Sequence, residues 1–363
     1  VRYAVVGLGH IAQAAVLPAF AHARRNSELA ALVSNDPVKL KELAGRYRIN
    51  RTFSYDQYDD CLRSGDVDAV YIALPNSLHA EYTVRAARAG VHVLCEKPMA
   101  VTEKECEAMI RAARKSRVKL MIAYRLHFEE ANLKAVEIVR SGKLGEARIF
   151  DSVFSMQVKK DNIRTQEELG GGTLYDIGIY CINAARYLLR DEPNEVFAYS
   201  ADGKNDSRFK EIDEMTSAVL RFPKERLAAF TSSFGAADVA SYRVVGTKGD
   251  LRVEPAYEYA MGLGLQVTID GKTRARKFAK RDQFAPELLY FSDCILKNRE
   301  PEPSGEEGLA DVRIIRALYR SAATGRPVKL RRSAIKKRPT LKQEIRRPAV
   351  AKPQLVHAES ASG

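Results

Sequence analysis

Arg2-Tyr3-Ala4-Val5-Val6-Gly7-Leu8-Gly9-His10-Ile11-Ala12 opens the chain, and its reading decides the fold of the first hundred residues. Arg2 to Gly7 is read as a short, mostly apolar strand of the kind covered on both faces. The glycines that follow make a G-x-G-x-x-A turn. Gly7 supplies the tight bend, Gly9 lets the backbone approach a pyrophosphate, and the small Ala12 lets the next helix pack closely on the strand. Such a turn is informative only between a buried strand and a helix, and that is where this one lies. The segment predicts dinucleotide binding through Gly7, Leu8, Gly9, His10 and Ile11.

Working outward, strand-like and helix-like segments alternate through residue 125. Further strands are read at Leu29 to Ser34, Val67 to Leu74, His92 to Cys95 and Lys119 to Ala123, all rich in Val, Ile, Leu and Ala. Amphipathic runs at His79 to Ala89 and Thr102 to Lys115 lie between them, and Thr102 with Glu105 makes a capping-box pattern. This predicts a Rossmann-type parallel sheet with helices on both faces over residues 1–125. Cofactor choice falls at the end of the second strand, where an NAD enzyme usually carries a carboxylate for the ribose hydroxyls. Here the place holds Ser34, followed by Asn35, with Lys39 on the next turn. A serine can donate to a 2′-phosphate and a lysine can neutralise it, so NADP is favoured over NAD, although Asp36 lies nearby.

His92-Val93-Leu94-Cys95-Glu96-Lys97-Pro98 places charge at the mouth of a buried strand, beside Leu74-Pro75-Asn76 at the end of its neighbour. Open α/β sheets bind ligands at such strand ends. Lys97 offers a cation whose pKa burial can tune, suited to holding a substrate hydroxyl and assisting its proton loss. Gly170-Gly171-Gly172 leads into an apparent helix in which Asp176 and Tyr180, four residues apart, share a face. A carboxylate beside a phenol can orient a sugar hydroxyl and exchange its proton. Taken singly, a strand-end lysine and a half-buried tyrosine are ordinary structural residues; their coincidence is what carries the reading.

With Leu74-Pro75-Asn76-Ser77-Leu78-His79-Ala80-Glu81, Cys95-Glu96-Lys97-Pro98-Met99-Ala100, Met121-Ile122-Ala123-Tyr124-Arg125 and Gly305-Glu306-Glu307-Gly308, the chain resembles the Gfo/Idh/MocA oxidoreductase superfamily. It is most similar to the glucose-fructose oxidoreductase branch of that superfamily, which also contains inositol dehydrogenases. The resemblance implies that Lys97, Asp176 and Tyr180 are catalytic, Tyr180 taking the place of a histidine of the inositol dehydrogenases. It further implies that Arg125 and His79 line the nicotinamide pocket, that Ser34, Lys39 and Tyr55 surround the adenosine phosphate, and that the Lys97-Pro98 bond is cis. Asn35, Leu74, Pro75, Asn76, Glu96, Lys97 and Arg164 complete the implied cofactor contacts. One departure is clear: the branch's tryptophan before the arginine is Ile163 here, and the chain has no tryptophan.

From residue 126 the pattern becomes a helix through Arg140 and then alternating runs at Arg148 to Met156, Thr216 to Phe222, Leu227 to Ser233, Tyr242 to Gly246 and Gln266 to Ile269. These predict an α+β domain over 126–330 with a large, mostly antiparallel open sheet. The resemblance implies that a second subunit covers its bare face, giving a homodimer or homotetramer. Of the net charge of +13, residues 331–363 hold nine Lys/Arg against Glu344 and Glu359, or +7, leaving +6 for the other 330 residues. That proline-containing basic tail is expected to be largely disordered, and nucleic acid is not the expected partner. The five scattered cysteines form no disulfide framework or metal-ligand spacing, so no metal is expected. No apolar run reaches the roughly 18 residues of a membrane span. A cytoplasmic location is expected; a chain that opens on Val1 leaves a periplasmic one open.

The function expected is NADP-dependent oxidation of a cyclic aldose at the anomeric carbon to a lactone. A second sugar could then be reduced with the same bound cofactor, whose tight retention the sequence leaves open. Reduction of anhydrosugars or dicarbonyls, or xylose or dihydrodiol dehydrogenation, are alternatives. An NADP-binding sugar sensor or repressor is the non-enzymatic one.

Overall fold

A computed structural model describes residues 1–331, 335 and 337–361. The chain divides into two compact units: Val1–Arg125 with Asp282–Leu309 and Ile345–Ser360, and Leu126–Arg281 with Ala310–Glu344 and Ala361–Gly363.

The first unit is built on strands β1 (Arg2–Val6), β2 (Glu28–Val33), β3 (Thr52–Phe53), β4 (Ala69–Ile72), β5 (His92–Glu96) and β6 (Leu120–Ala123). They pair in the order β3-β2-β1-β4-β5-β6, parallel throughout. The chain winds outward from β1 to β3 and then crosses to β4, so the order reverses beside β1, and the carboxyl ends flanking that point form the expected ligand crevice. Tyr3 to Val6 and Ala69 to Ile72 are wholly buried, as strands covered on both faces must be. The helix Glu103–Lys115 starts at the anticipated cap: Thr102 Oγ1 accepts from the Glu105 amide at 3.3 Å, and Glu105 accepts from the Thr102 amide at 2.8 Å. The edge strand β3 escaped the sequence reading because two residues show no periodicity.

Two segments depart from the expected boundaries. Residues 282–309 belong to this unit because the helix Ala285–Leu296 returns to it, with Ser292 Oγ lying 2.8 Å from both the Tyr3 hydroxyl and Ser27 Oγ. The C-terminal segment also departs, since its described residues are anchored. Arg338 is buried against Glu192 in the second unit, while Arg347 donates to the His22 carbonyl at 3.1 Å in the first. Composition predicted a solvated tail; specific carboxylates and carbonyls hold it instead. Residues 332–334, 336, 362 and 363 of that expectation lie outside the described residues.

The second unit carries β7 (Ala147–Ser155), β8 (Glu195–Ala201), β9 (Met215–Phe222), β10 (Arg226–Ser233), β11 (Val239–Gly246), β12 (Gly249–Val253), β13 (Leu263–Ile269), β14 (Lys272–Phe278) and β15 (Val328–Lys329). Their order is β14-β13-β12-β11-β7-β10-β9-β8-β15, and among the described residues only β7 and β10 pair in parallel. Phe150, Phe154, Leu220, Phe230, Tyr242 and Val244 fill one face, against which the helix Ile179–Leu189 packs. The other face exposes Ile149, Leu227 and Val219 at 48%, 49% and 42%, an apolar set in neighbouring strands.

Among the described residues no helix is long and apolar enough to cross a membrane, no cluster of potential metal ligands occurs, and the five buried cysteines form no disulfide.

Candidate active site

At the end of β1, Gly7 has φ +91°, and a Cβ there would lie 2.5 Å from the Ala73 carbonyl oxygen. The bend and the close approach of the β4 exit both demand glycine. Gly9 is different: a Cβ there would meet no protein atom within 4 Å. Among the described residues the space over Gly9 is open, leaving room for an anion on the first amides of the following helix. The turn therefore fits a dinucleotide pyrophosphate, with Leu8, His10 and Ile11 around it.

The end of β2 is knit by local hydrogen bonds. The Asp36 amide donates to Ser34 Oγ at 3.2 Å, and the Tyr55 amide donates to Asn35 Oδ1 at 2.7 Å. Asp36 is spent as a helix cap: it accepts from the Val38 and Lys39 amides at 2.9 and 3.0 Å, and Lys39 Nζ stands 4.0 Å away. Burial pushes the Tyr55 phenol up, Tyr82 adds to that, and Ser34 opposes it.

At the ends of β4 and β5, the buried His79 ring bridges two backbone carbonyls, Nδ1 to Pro98 at 2.8 Å and Nε2 to Leu74 at 2.9 Å. Burial holds this imidazole below its ordinary pKa and Lys97 adds to that, while the two carbonyls oppose the shift. His79 thus ties Leu74-Pro75-Asn76 to the Lys97-Pro98 bond, which is cis. From Val93 to Ala100, Lys97 is the one residue that is not buried. Its neighbour Glu96 is buried and accepts from the Tyr71 hydroxyl at 2.7 Å. Burial raises the Glu96 carboxyl, against the pull of Tyr71, Lys97 and Arg125. Arg125 donates to Gln283 and is itself buried, so this cation also sets the charge balance beneath the strand ends.

Glu287 lies close enough to feel both Glu96 and Arg125, and sequence reasoning missed it. It is fully buried, and neither oxygen has a hydrogen-bond partner among the described residues. Burial first, then Glu96, push its carboxyl well above the ordinary 4.5, while Arg125 opposes. A raised folded pKa stabilises fully below the unfolded value, and the benefit is lost as pH rises toward the folded value. This one group is expected to cost up to about 1.4 kcal/mol per pH unit across that window. The Glu287→Gln protein should therefore melt higher than wild type at pH 7–8, with the gap closing near pH 4.5. Melting curves that stay parallel across this range would refute the assignment. The available signal was a lone carboxylate in the apolar run Ala285 to Phe291.

In the second unit, the glycine run is dictated by packing. A Cβ on Gly171 would lie 2.5 Å from the Arg164 carbonyl oxygen, and one on Gly172, at φ +125°, 2.5 Å from the Tyr319 hydroxyl. This close approach sets Arg164 beside the helix start, where its Nε donates to Asp176 Oδ2 at 2.5 Å. Burial works against the Arg164 charge, but Asp176, then Tyr259 and Tyr180, outweigh it and raise its pKa. The first turn, Leu174–Gly178, is a π-helix, so Asp176 and Tyr180 do not stack at ordinary α-helical spacing as the sequence predicted. Even so, from Gly172 to Leu189 they alone have solvent access. The Tyr180 ring rests on Phe154 and Tyr257, with centroids 5.6 and 5.8 Å away.

Two family profiles cover most of the chain: an oxidoreductase family with an NAD-binding Rossmann fold over residues 1–124, and the GFO/IDH/MocA C-terminal domain over 132–252. A D-xylose 1-dehydrogenase [NADP(+)] of Haloarcula marismortui is 33% identical over 91% of this chain and 93% of its own length. The chain belongs to the Gfo/Idh/MocA oxidoreductase family. Within the family, an aldose-aldose oxidoreductase from Caulobacter crescentus has a solved structure that matches at TM-score 0.87 and 42% identity, over 91% of this chain and 99% of that one. A 3-ketoreductase from Actinomadura kijaniata, solved with NADP and TDP-benzene, matches at TM-score 0.81 and 27% identity over 88% and 97%. Membership makes the chain an oxidoreductase with a Rossmann cofactor domain.

Proposed function

We propose that this protein is an NADP-dependent sugar dehydrogenase that oxidises a cyclic aldose at its anomeric carbon to a lactone. The observation that carries the reading is the selective exposure of Lys97, Asp176 and Tyr180 within otherwise buried stretches. Buried segments give solvent access to polar groups where a ligand must meet them. The xylose dehydrogenase and aldose-aldose oxidoreductase relatives, both acting on aldoses, support the substrate class.

When bound, the nicotinamide would supply the acceptor for the hydrogen and electron pair of the anomeric C–H bond. Gly9 and the helix amides would hold the pyrophosphate, and Ser34, Asn35, Lys39 and Tyr55 the adenosine phosphate. Lys97 polarises the substrate oxygen while Tyr180 takes its proton, so the C–O single bond becomes a carbonyl as the C–H bond breaks. Asp176, oriented by Arg164, holds a neighbouring hydroxyl. Were the reduced cofactor retained, Tyr180 would return the proton to the carbonyl oxygen of a second sugar as that carbonyl is reduced to an alcohol.

Absorbance at 340 nm, followed after adding NADP with xylose or glucose and then fructose, tests both half-reactions. A rise with the aldose and a lactone product are expected. Reduction of dicarbonyls or keto-sugars, with no aldose-driven rise, would overturn the reading in favour of a reductase. Ser34→Asp should weaken NADPH binding by at least about tenfold through like-charge repulsion, leaving NADH comparatively unaffected. An unchanged NADPH/NADH ratio would exclude Ser34 from the phosphate site.

A second copy of this chain is proposed to cover the outer sheet face bearing Ile149, Val219 and Leu227. Light scattering at micromolar concentration should report a dimer or tetramer, and a monomer would contradict it.

A further inference from the structure

The C-terminal segment reaches both ends of the dinucleotide-binding apparatus in the first unit. Gln13, buried in the first turns after the glycine bend, donates through Nε2 to the Leu8 carbonyl at 2.9 Å and to the Val356 carbonyl at 2.8 Å. Its Oε1 accepts from the Val356 amide at 2.8 Å, so one side chain reads both backbone groups of Val356, as a neighbouring strand would. Arg46 donates to the Gln354 carbonyl at 2.6 Å. His357 Nδ1 then stands 3.0 Å from Asp36 Oδ2, on the turn that also bears Ser34 and Lys39. Val356 and His357 therefore link the first turns after the glycine bend to the turn after β2, where the groups assigned to the adenosine phosphate lie, while Gln354 is held at the far end of the helix Pro37–Tyr47.

Asp36 is the one feature of that turn hostile to a 2′-phosphate. Its carboxyl is held below the ordinary range by the Lys39 amide, with His357 adding to that, so it is ionised at neutral pH. An anion two residues past Ser34 repels a second anion unless something answers its charge. Lys39 does so at 4.0 Å, and the shorter contact comes from His357.

We propose that His357, carried to the end of β2 by the Gln13–Val356 anchor, is a specificity-determining residue. It engages Asp36 and so admits the 2′-phosphate of NADP, making the C-terminal segment part of the cofactor site. The inference rests on the NADP reading above and deepens it, since the discriminating side chain comes from more than 300 positions away in sequence.

The test is equilibrium binding of NADPH and NADH, followed by nicotinamide fluorescence, to the full chain and its variants. His357→Ala should weaken NADPH by roughly 5- to 20-fold and leave NADH within about twofold, the size of one charge-assisted contact at a partly exposed site. Asp36→Asn added to His357→Ala should restore NADPH affinity, because the repelling charge is gone. Deleting residues 345–363 should reproduce the His357→Ala pattern, with additional weakening of NADH tolerated only if smaller than that of NADPH. Equal losses for both cofactors in His357→Ala, or tighter NADPH binding after deletion, would overturn the inference: the segment would then be only a structural strap or a competitor for the site. Wild-type protein with no preference for NADPH would instead sink the NADP reading itself, which separates the two failures.

Discussion

Lys97→Ala and Tyr180→Phe are each expected to lower kcat by about 10²- to 10⁴-fold, the range for losing a positioned proton donor or acceptor. NADPH affinity should stay within about twofold. The split matters because the Lys97 ammonium is the solvent-accessible cation of this strand end, whereas the His79 bridge behind it holds two backbone carbonyls and does not use the lysine side chain. Tyr180→Phe is cleaner still: the ring keeps its contacts with Phe154 and Tyr257 and loses only the hydroxyl. Steady-state rates with the best aldose, together with fluorescence titration of NADPH, provide the check. Wild-type turnover in either variant would remove that residue from the chemistry, and lost cofactor binding in Lys97→Ala would recast the lysine as a cofactor contact.

The largest stability effect is expected at Arg186, in the helix that carries Tyr180. Arg186 is wholly buried, paired with Glu192 at 2.9 and 3.0 Å and with Asp311 at 2.5 Å. Asn183 extends the network, donating to Asp311 at 2.9 Å and meeting His127 Nε2 at 2.8 Å, and Arg338 also donates to Glu192. Arg186→Met keeps much of the volume but removes the cation shared by two buried carboxylates, leaving Asn183 on Asp311 and Arg338 on Glu192. Breaking a buried pair from one side costs about 3–5 kcal/mol, so denaturant unfolding at pH 7 should show a loss of that size. Burial opposes the Glu192 charge, but Arg186 and then Arg338 outweigh it and hold its pKa below the ordinary 4.5. That contribution is present above the unfolded pKa and disappears as pH falls through the folded one. The variant should accordingly lose part of the wild type's sensitivity to acid below about pH 4.5. A loss under about 1 kcal/mol would mean that the carboxylates find other partners.

How much was legible in the sequence varies with the range of the interaction. The glycine turn, the capping box at Thr102 and the strands with clear apolar runs announce themselves because their causes are local: a bend, a cap, a buried face. Ser34, Lys97, Asp176 and Tyr180 stood out as polar residues at strand ends and on a glycine-led helix. The two-residue β3 left no trace. Glu287 gave only the trace of one acid in an apolar helix, and the Arg186 network gave none, since Asp311 and Arg338 reach Arg186 and Glu192 from more than a hundred residues away. The tail was misread for the same reason: its composition describes its preference for water, but Arg338, Val356 and His357 found partners that no local pattern names.

By itself, the sequence determined the parallel-sheet domain, its dinucleotide turn, the mostly antiparallel second sheet and the residue types at the ligand-facing strand ends, because periodicity and backbone sterics act over a few residues. Only the tertiary structure decided which charges are buried together and that the helix Ala285–Leu296 belongs with the first unit. It alone set His357 beside Asp36, since burial and ion pairing depend on positions in space that the order of residues along the chain does not encode.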